Sequence, residues 1–411
     1  MDNNIKKDIV QQKKDSARFR LGFILYIIAL LVYPYIFLFH HFFPYTYLFG
    51  VDKSIAVAVI TLVLIFSFLL QMKHIIARLG KKDFYFYILT LVLFLIARYI
   101  FYEEEIIRKL IAYRIFILPI IYAGLACYYL SDHKRRQLVI KVVFWQTLIQ
   151  AGIGIFIWNF VSTGIINYKI FNLWQGGGRM EGTLFSANLF PYFILLGAFI
   201  LISPYLQWRL SPFVKIVLLL LFTLSVVYSN SRWPFFIMMI VLLIGFKKMF
   251  LAKKNYFVKT FIIILVLGGL FLGNILLMPE IKTTIARVVN ESLSSRLIKY
   301  KLGLSSVLEN PVRGVFIGPS LIERSARTEV FRGEEIGFSD NSFITLLRSL
   351  GVFMTFLYLL FFTSIIKKNY YLIRNYLFLF FFIGALFFNN SIFFDIWLVF
   401  IFATLYSLSP P

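Results

Sequence analysis

One cysteine, Cys127, occurs in 411 residues, and it falls inside an apolar run. A lone thiol makes neither a disulfide framework nor a thiolate metal site. The four histidines, His40, His41, His74 and His133, are scattered, so the chain also lacks a histidine cluster of metal-ligand spacing. Acidic residues are scarce: 19 Asp and Glu stand against 42 Lys and Arg, a formal charge of +23. Charged residues of both signs make up only 15% of the chain while 60% is hydrophobic, a balance that excludes an ordinary soluble domain of this length. The basic excess does not indicate nucleic acid, because the cations sit in short segments between apolar runs, where the positive-inside rule places them.

What is abundant is apolar and aromatic. Runs suited to crossing a bilayer, roughly 20 residues each, begin near Leu21, Ser54, Phe84, Ala112, Val139, Leu184, Val214, Trp233, Phe257, Asn341, Tyr371 and Ile392. They predict an all-α integral membrane protein of about twelve transmembrane helices. The 49 Phe and 24 Tyr suit helix faces packed in lipid and settled at its interfaces. Residues 1–20 form a polar, lysine-rich tail. The apolar run after it lacks a small-residue cleavage signature, so an anchor helix is expected rather than a removed signal. With Met1 in the cytoplasm, inner loops carry Lys73/Arg78/Lys81/Lys82, Lys134/Arg135/Arg136/Lys141, Lys247/Lys248/Lys253/Lys254 and Lys367/Lys368/Arg374. That is the lysine-rich inside expected of a multi-pass inner (plasma) membrane protein with both termini cytoplasmic. The organisation is a tail (1–20), a transmembrane region of about nine helices (21–278), one large extracytoplasmic loop (279–340) and a C-terminal region of about three helices (341–411). Ile285 to Leu308 alternates at helical spacing and stops at Asn310-Pro311, so the loop is expected to be partly helical.

The outer face on this topology is unusual in carrying arginine. Arg179, Arg232, Arg287, Arg296, Arg313, Arg324, Arg327, Arg332 and Arg348 map to outer loops or outer span ends, and Arg98 and Arg114 lie within spans. Positive charge on the translocated side opposes the topology bias, and a charge inside a span costs roughly 2.5–3.5 kcal/mol on insertion scales. A polyanion at the outer leaflet would compensate, and guanidinium suits bidentate phosphate contact. Arginines of the long loop read equally as partners of Glu280, Glu291, Glu309, Glu323, Glu329, Glu334 and Glu335. Arg179 and Arg232 instead occupy tight turns, Gly-Gly-Gly-Arg-Met-Glu-Gly and Ser-Asn-Ser-Arg-Trp, with Glu181 the one nearby acid. Backbone N–H groups of such turns also face an anion readily.

Four segments in order carry a resemblance: Arg179-Met-Glu-Gly-Thr-Leu-Phe-Ser-Ala-Asn188, Ser229-Asn-Ser-Arg232, Glu309-Asn-Pro-Val-Arg-Gly-Val-Phe-Ile-Gly318, and Ser339-Asp-Asn-Ser-Phe343 leading through Leu350-Gly351. Together they resemble the O-antigen ligase and Wzy-type polymerase superfamily over residues 175–395; the first half matches only in being hydrophobic. The resemblance implies a GT-C-like glycosyltransferase that needs no metal or other cofactor. Its donor is a saccharide on undecaprenyl diphosphate at the outer leaflet of a bacterial membrane. By resemblance Arg232 and Arg179 hold the donor diphosphate, with Arg296 and Arg313 of the long loop as further candidates. Ligases of the family place histidine before Asn-Ser where this chain has Asp340. A carboxylate still accepts a proton, although an ordinary pKa near 3.9 makes it a weaker base. Asp340 therefore reads equally as general base or as the cap of a helix starting at Asn341. Asp395, near Asn389 and Asn390, and Asn341 are candidates for orienting a sugar, and Asp395 reads alternatively as a partner of Arg98 or Arg114.

The substitution at Asp340 favours a polymerase that transfers a lipid-linked glycan onto the next lipid-linked repeat unit, for capsule, exopolysaccharide or O-antigen. The alternatives are a ligase with a different acceptor and a lipid-linked oligosaccharide flippase, which would show charges deep in its spans and related halves. Expected partners are the lipid-linked donor and acceptor, the lipid bilayer, a chain-length regulator and a flippase, with no nucleic acid. Metal-dependent GT-C enzymes carry an acidic pair in the first outer loop, and His40 to Lys53 offers only Asp52. The Glu103-Glu104-Glu105 run reads as a solvated charge run at a span boundary.

Overall fold

The computed structural model describes residues 3–35, 47–48, 51–52, 55–79, 89, 118, 120–162, 180, 189–203, 210–229, 231–250, 301, 304–305, 307–309, 311–312, 329–331, 334–336, 343–344, 346–347, 351–357, 359–360 and 396–407. The runs expected near Ser54, Phe84, Ala112, Leu184, Phe257, Asn341, Tyr371 and Ile392 begin outside these residues.

The described helices are α1 (Asn3–Val32, closing in a 3-10 turn at Tyr33–Tyr35), α2 (Ile55–Leu79), α3 (Ile120–Tyr129), α4 (His133–Ser162), α5 (Leu189–Ile202), α6 (Pro212–Tyr228), α7 (Arg232–Phe250) and α8 (Ile396–Ser407). Residues 351–357 are also helical. Two antiparallel ribbons, Tyr47–Leu48 with Val51–Asp52 and Glu329–Phe331 with Glu334–Ile336, are the strands among the described residues. Local chemistry accounts for the helix ends. At the start of α6 the Ser211 hydroxyl accepts from the Val214 N–H at 3.3 Å and Pro212 takes the first helical position, where no backbone donor is needed. The charged tail is not a separate coil: with no glycine before Gly22 and no proline before Pro34, α1 runs from Asn3 straight into the first span.

Among the described residues three stretches, Ala17–Tyr35, Val59–Ala77 and His133–Asn159, are long and apolar enough to cross a membrane, and four shorter apolar helices accompany them. Beyond an apolar core, large apolar side chains also stand on the exposed faces, unlike in a water-soluble bundle. Leu21, Ile24, Ile28 and Leu31 line an exposed stripe of α1, and Leu62, Phe66 and Leu69 an exposed stripe of α2. The buried side meanwhile holds Ser67, Gln71, Gln146, Thr147, Gln150, Ser225 and Ser229. In water each exposed apolar side chain would forfeit about 1.5–3 kcal/mol of burial, whereas lipid solvates it and leaves polar groups to seek partners between helices. The described residues are compatible with a helical membrane protein.

Polar and close-packed contacts fix helix directions. The Ser67 hydroxyl donates to the Gly22 carbonyl at 2.9 Å and meets the Tyr129 hydroxyl at 2.9 Å, binding α1, α2 and the end of α3. Gln146 Nε2 donates to the Leu31 carbonyl at 3.0 Å, and the Arg135 guanidinium lies 4.4 Å over the Phe19 ring, so α1 and α4 run parallel. The α5 helix runs back along α4, with Gly197 against Thr147 and Phe190 against Gly154. Phe144 meets Phe222 edge-on, Trp158 stacks on Tyr228, and α6 is thereby parallel to α4. Gly245 near the end of α7 meets Ile202 and Leu219, which makes α7 antiparallel to α6. Phe400 of α8 meets Phe193 of α5 at 4.9 Å. The alternation sorts the described residues to two ends. One is basic and holds Phe19, His74, Tyr128 and Arg135; the other holds Trp158, Leu189, Tyr228 and Arg232.

Candidate functional site

At the end opposite the basic one, the turn from α6 to α7 receives Met180 from elsewhere in the chain. Ser229 closes α6: its N–H donates to the Ser225 carbonyl at 3.2 Å, its hydroxyl to the Val226 carbonyl at 2.6 Å, and the residue is buried. The Phe235 N–H donates to the Ser231 carbonyl at 3.1 Å, which sets the first turn of α7 with Arg232 as its first residue. A helix N-terminus carries partial positive charge, and the first turn of α7 contains no acid to offset it.

Met180 docks against this turn. Its N–H donates to the Tyr228 carbonyl at 3.0 Å, and the residue is buried. Gly154 of α4 makes the room: a Cβ there would lie 2.7 Å from Phe190 Cζ and 3.0 Å from Met180 Sδ. The Tyr228 ring stacks on Trp158 of α4 with centroids 4.2 Å apart and planes 20° from parallel. Met180 of the first segment is therefore tied to Tyr228, the residue immediately before the second. The bond lies one residue after Arg179 in the chain and four residues before Arg232.

A second tie joins the other two segments. The Val352 N–H donates to the Pro311 carbonyl at 2.8 Å, and Gly351 adopts φ +74°. A Cβ at Gly351 would meet the Val312 carbonyl, so this position needs glycine both for its left-handed backbone and for the close approach. Helical residues 307–309 end at a turn at 311–312, as the Asn310-Pro311 stop leads one to expect. Met354, one turn after Gly351, is buried in the core shared with α4 to α8.

Of the candidate residues, Arg232 stands at the head of α7. Arg179, Arg296, Arg313, Asp340, Asn341 and Asp395 lie outside the described residues, as do Arg98 and Arg114. Among the described residues no three His, Cys, Asp or Glu side chains gather as a metal site. Sequence reading missed the docking of Met180, the Trp158–Tyr228 stack and the role of Gly154. The small-residue run Ala151-Gly-Ile-Gly154 inside an apolar span was the available signal, since small residues mark close approach between membrane helices.

At the basic end, Arg135 Nε donates to the Asp132 carboxylate at 3.4 Å. Desolvation pushes the Asp132 carboxyl up, but hydrogen bonds from the Arg135 side chain and from backbone N–H groups outweigh it and hold the group below its ordinary value. Its charge is thus committed within the helix start.

The chain matches no protein-family model, and comparison with curated proteins and with solved structures finds no match.

Proposed function

We propose that the chain is a bacterial polysaccharide polymerase of the Wzy type, a glycosyltransferase of the inner (plasma) membrane with about twelve spans in a GT-C-like arrangement. In this reading both termini and the basic end face the cytoplasm, and the α6–α7 turn faces outward. The reading rests on the four ordered segments and, above all, on the hydrogen bond from Met180 to Tyr228, which ties the Arg179 segment to the turn that leads into Arg232.

The chemistry is transfer of a glycan from undecaprenyl diphosphate to a hydroxyl of the next lipid-linked repeat unit. The acceptor oxygen bonds to the anomeric carbon, the bond from that carbon to the diphosphate oxygen breaks, and undecaprenyl diphosphate departs. Negative charge grows on the departing diphosphate, and arginines fixed beside it stabilise that charge where it forms. Arg179 and Arg232 are assigned to this task, with Arg296 and Arg313 completing the cluster from the long loop. Asp340 is assigned to take the acceptor proton, and Asp395 and Asn341 to orient the sugar. The start of α7 adds its own partial charge to Arg232.

The test is incubation of the purified protein with a lipid-linked repeat unit. A ladder of lengthened lipid-linked glycan that disappears in Arg232→Ala supports the polymerase. Transfer only to a foreign acceptor makes it a ligase instead, and the absence of any transfer by folded protein contradicts glycosyl transfer.

A further inference from the structure

The basic end carries a surface that glycan transfer does not use. Arg18 and Arg20 flank Phe19 on α1, Lys73 precedes His74 on α2, and Lys134, Arg135 and Arg136 open α4. The helix ends meet here, since Phe19 packs edge-on to Tyr128 at 5.4 Å, Tyr128 stacks on His74 at 6.1 Å, and Arg135 lies over Phe19, which brings the neighbouring cations of the three helices to one end of the bundle. Asp132 is the one carboxylate with a described side chain here, and it is engaged by Arg135. Asp132 offsets Arg135 at the start of α4, and the first turn of the helix holds no further acid for Lys134. Arg135 Nη1 is buried and finds no hydrogen-bond partner among the described residues.

Exposed apolar side chains start immediately beside the exposed cations. Arg20 is followed by Leu21, Lys73 is preceded by Met72, and Lys134 stands one turn from Leu138; the three apolar residues are 48%, 43% and 44% exposed. A soluble anion has no use for that apolar wall, whereas a phospholipid presents a phosphate and an acyl chain in this order. We infer that the ends of α1, α2 and α4 form a binding site for an anionic phospholipid, its phosphate among the exposed cations Arg18, Arg20, Lys73 and Lys134 beside Arg135, and its chains along the exposed stripes.

The test uses the full chain in nanodiscs of phosphatidylcholine with or without phosphatidylglycerol, followed by detergent extraction and native mass spectrometry of retained lipid. Wild type is expected to retain phosphatidylglycerol in preference to phosphatidylcholine. The variant Arg18→Gln/Arg20→Gln/Lys73→Gln/Lys134→Gln is expected to lose that preference. Single changes Arg20→Gln and Lys134→Gln should each weaken retention about fivefold, which keeps the test decisive if the quadruple variant fails to fold. Lys6→Gln/Lys7→Gln/Lys13→Gln/Lys14→Gln, an equal charge loss on the polar extension of α1, should leave retention at the wild-type level. Equal retention of both lipids by wild type overturns the inference. So do a control as impaired as the patch variant, which would mean diffuse attraction, and full displacement by glycerol phosphate, which would mean a phosphate site without a lipid.

Discussion

Met180 and Tyr228, 48 positions apart in the chain, are joined by a backbone hydrogen bond of 3.0 Å at the head of the α6–α7 turn. Backbone pairing of this kind does not depend on side chains, so the approach of Met180 to the turn should survive substitution of Arg179.

Enlarging Gly154 should break that approach from beneath. In Gly154→Leu the new side chain meets Phe190 and Met180 Sδ, at a cost of about 1–3 kcal/mol for overpacking. Hydrogen exchange at the Met180 amide is expected to accelerate. Gly152→Leu is the comparison, because a Cβ at Gly152 meets nothing within 4 Å, and it should leave the Met180 amide protected.

Gly351→Ala should destabilise the protein by about 1–3 kcal/mol, through the left-handed backbone and the contact with the Val312 carbonyl. Gly152→Ala, in open space within α4, should be neutral or stabilising by up to about 1 kcal/mol. Thermal unfolding in matched detergent checks both, and equal shifts for the two would refute the special role of Gly351.

Ser67→Ala removes a hydroxyl that joins α1, α2 and the end of α3, and leaves the Gly22 carbonyl without that donor. A loss of about 1–2 kcal/mol is expected. Gly22→Ala should be worse, because its Cβ would occupy the space of the Tyr129 hydroxyl. Unfolding midpoints of the two variants rank them directly.

Trp158→Ala removes the ring stacked on Tyr228. Beyond the lost area, such a stack is worth about 0.5–1.5 kcal/mol. Because Tyr228 also holds Met180, glycan transfer is expected to fall further than stability, whereas Trp158→Phe should keep most of both. Ladder length and unfolding midpoint, measured on the same preparations, separate the two effects.

Apolar helices were legible because a membrane span demands a long apolar run. Among the described residues the runs expected near Leu21, Ser54 and Val139 correspond to stretches long enough to cross, Ala17–Tyr35, Val59–Ala77 and His133–Asn159, and those near Val214 and Trp233 to the shorter apolar helices Phe213–Tyr228 and Trp233–Gly245. Their facing was not legible from apolar periodicity. On α1 the buried Leu30 and the exposed Leu31 are the same residue type, and it is Tyr26, Ala29 and Tyr33 that accompany Leu30 inward. In a membrane the inward face is marked by small and hydrogen-bonding residues instead. The helix of the tail carries no apolar periodicity to announce it, although nothing in it breaks a helix. The Glu329–Ile336 ribbon in the long loop escaped because its three-residue strands are too short for alternation to register. The arginine pair was legible as sequence, but the contact that ties its two segments depends on Met180, which resembles any other apolar residue when read along the chain.

The central claim is that Arg179 and Arg232 serve one diphosphate, and a double-mutant cycle tests it most directly. Rates of ladder formation are measured for wild type, Arg179→Ala, Arg232→Ala and the double variant on one lipid-linked substrate. Two arginines on one anion should each cost a large factor alone, while the double variant falls far less than the product of the two losses. Losses that simply multiply, or a variant that leaves the rate unchanged, would contradict a shared site.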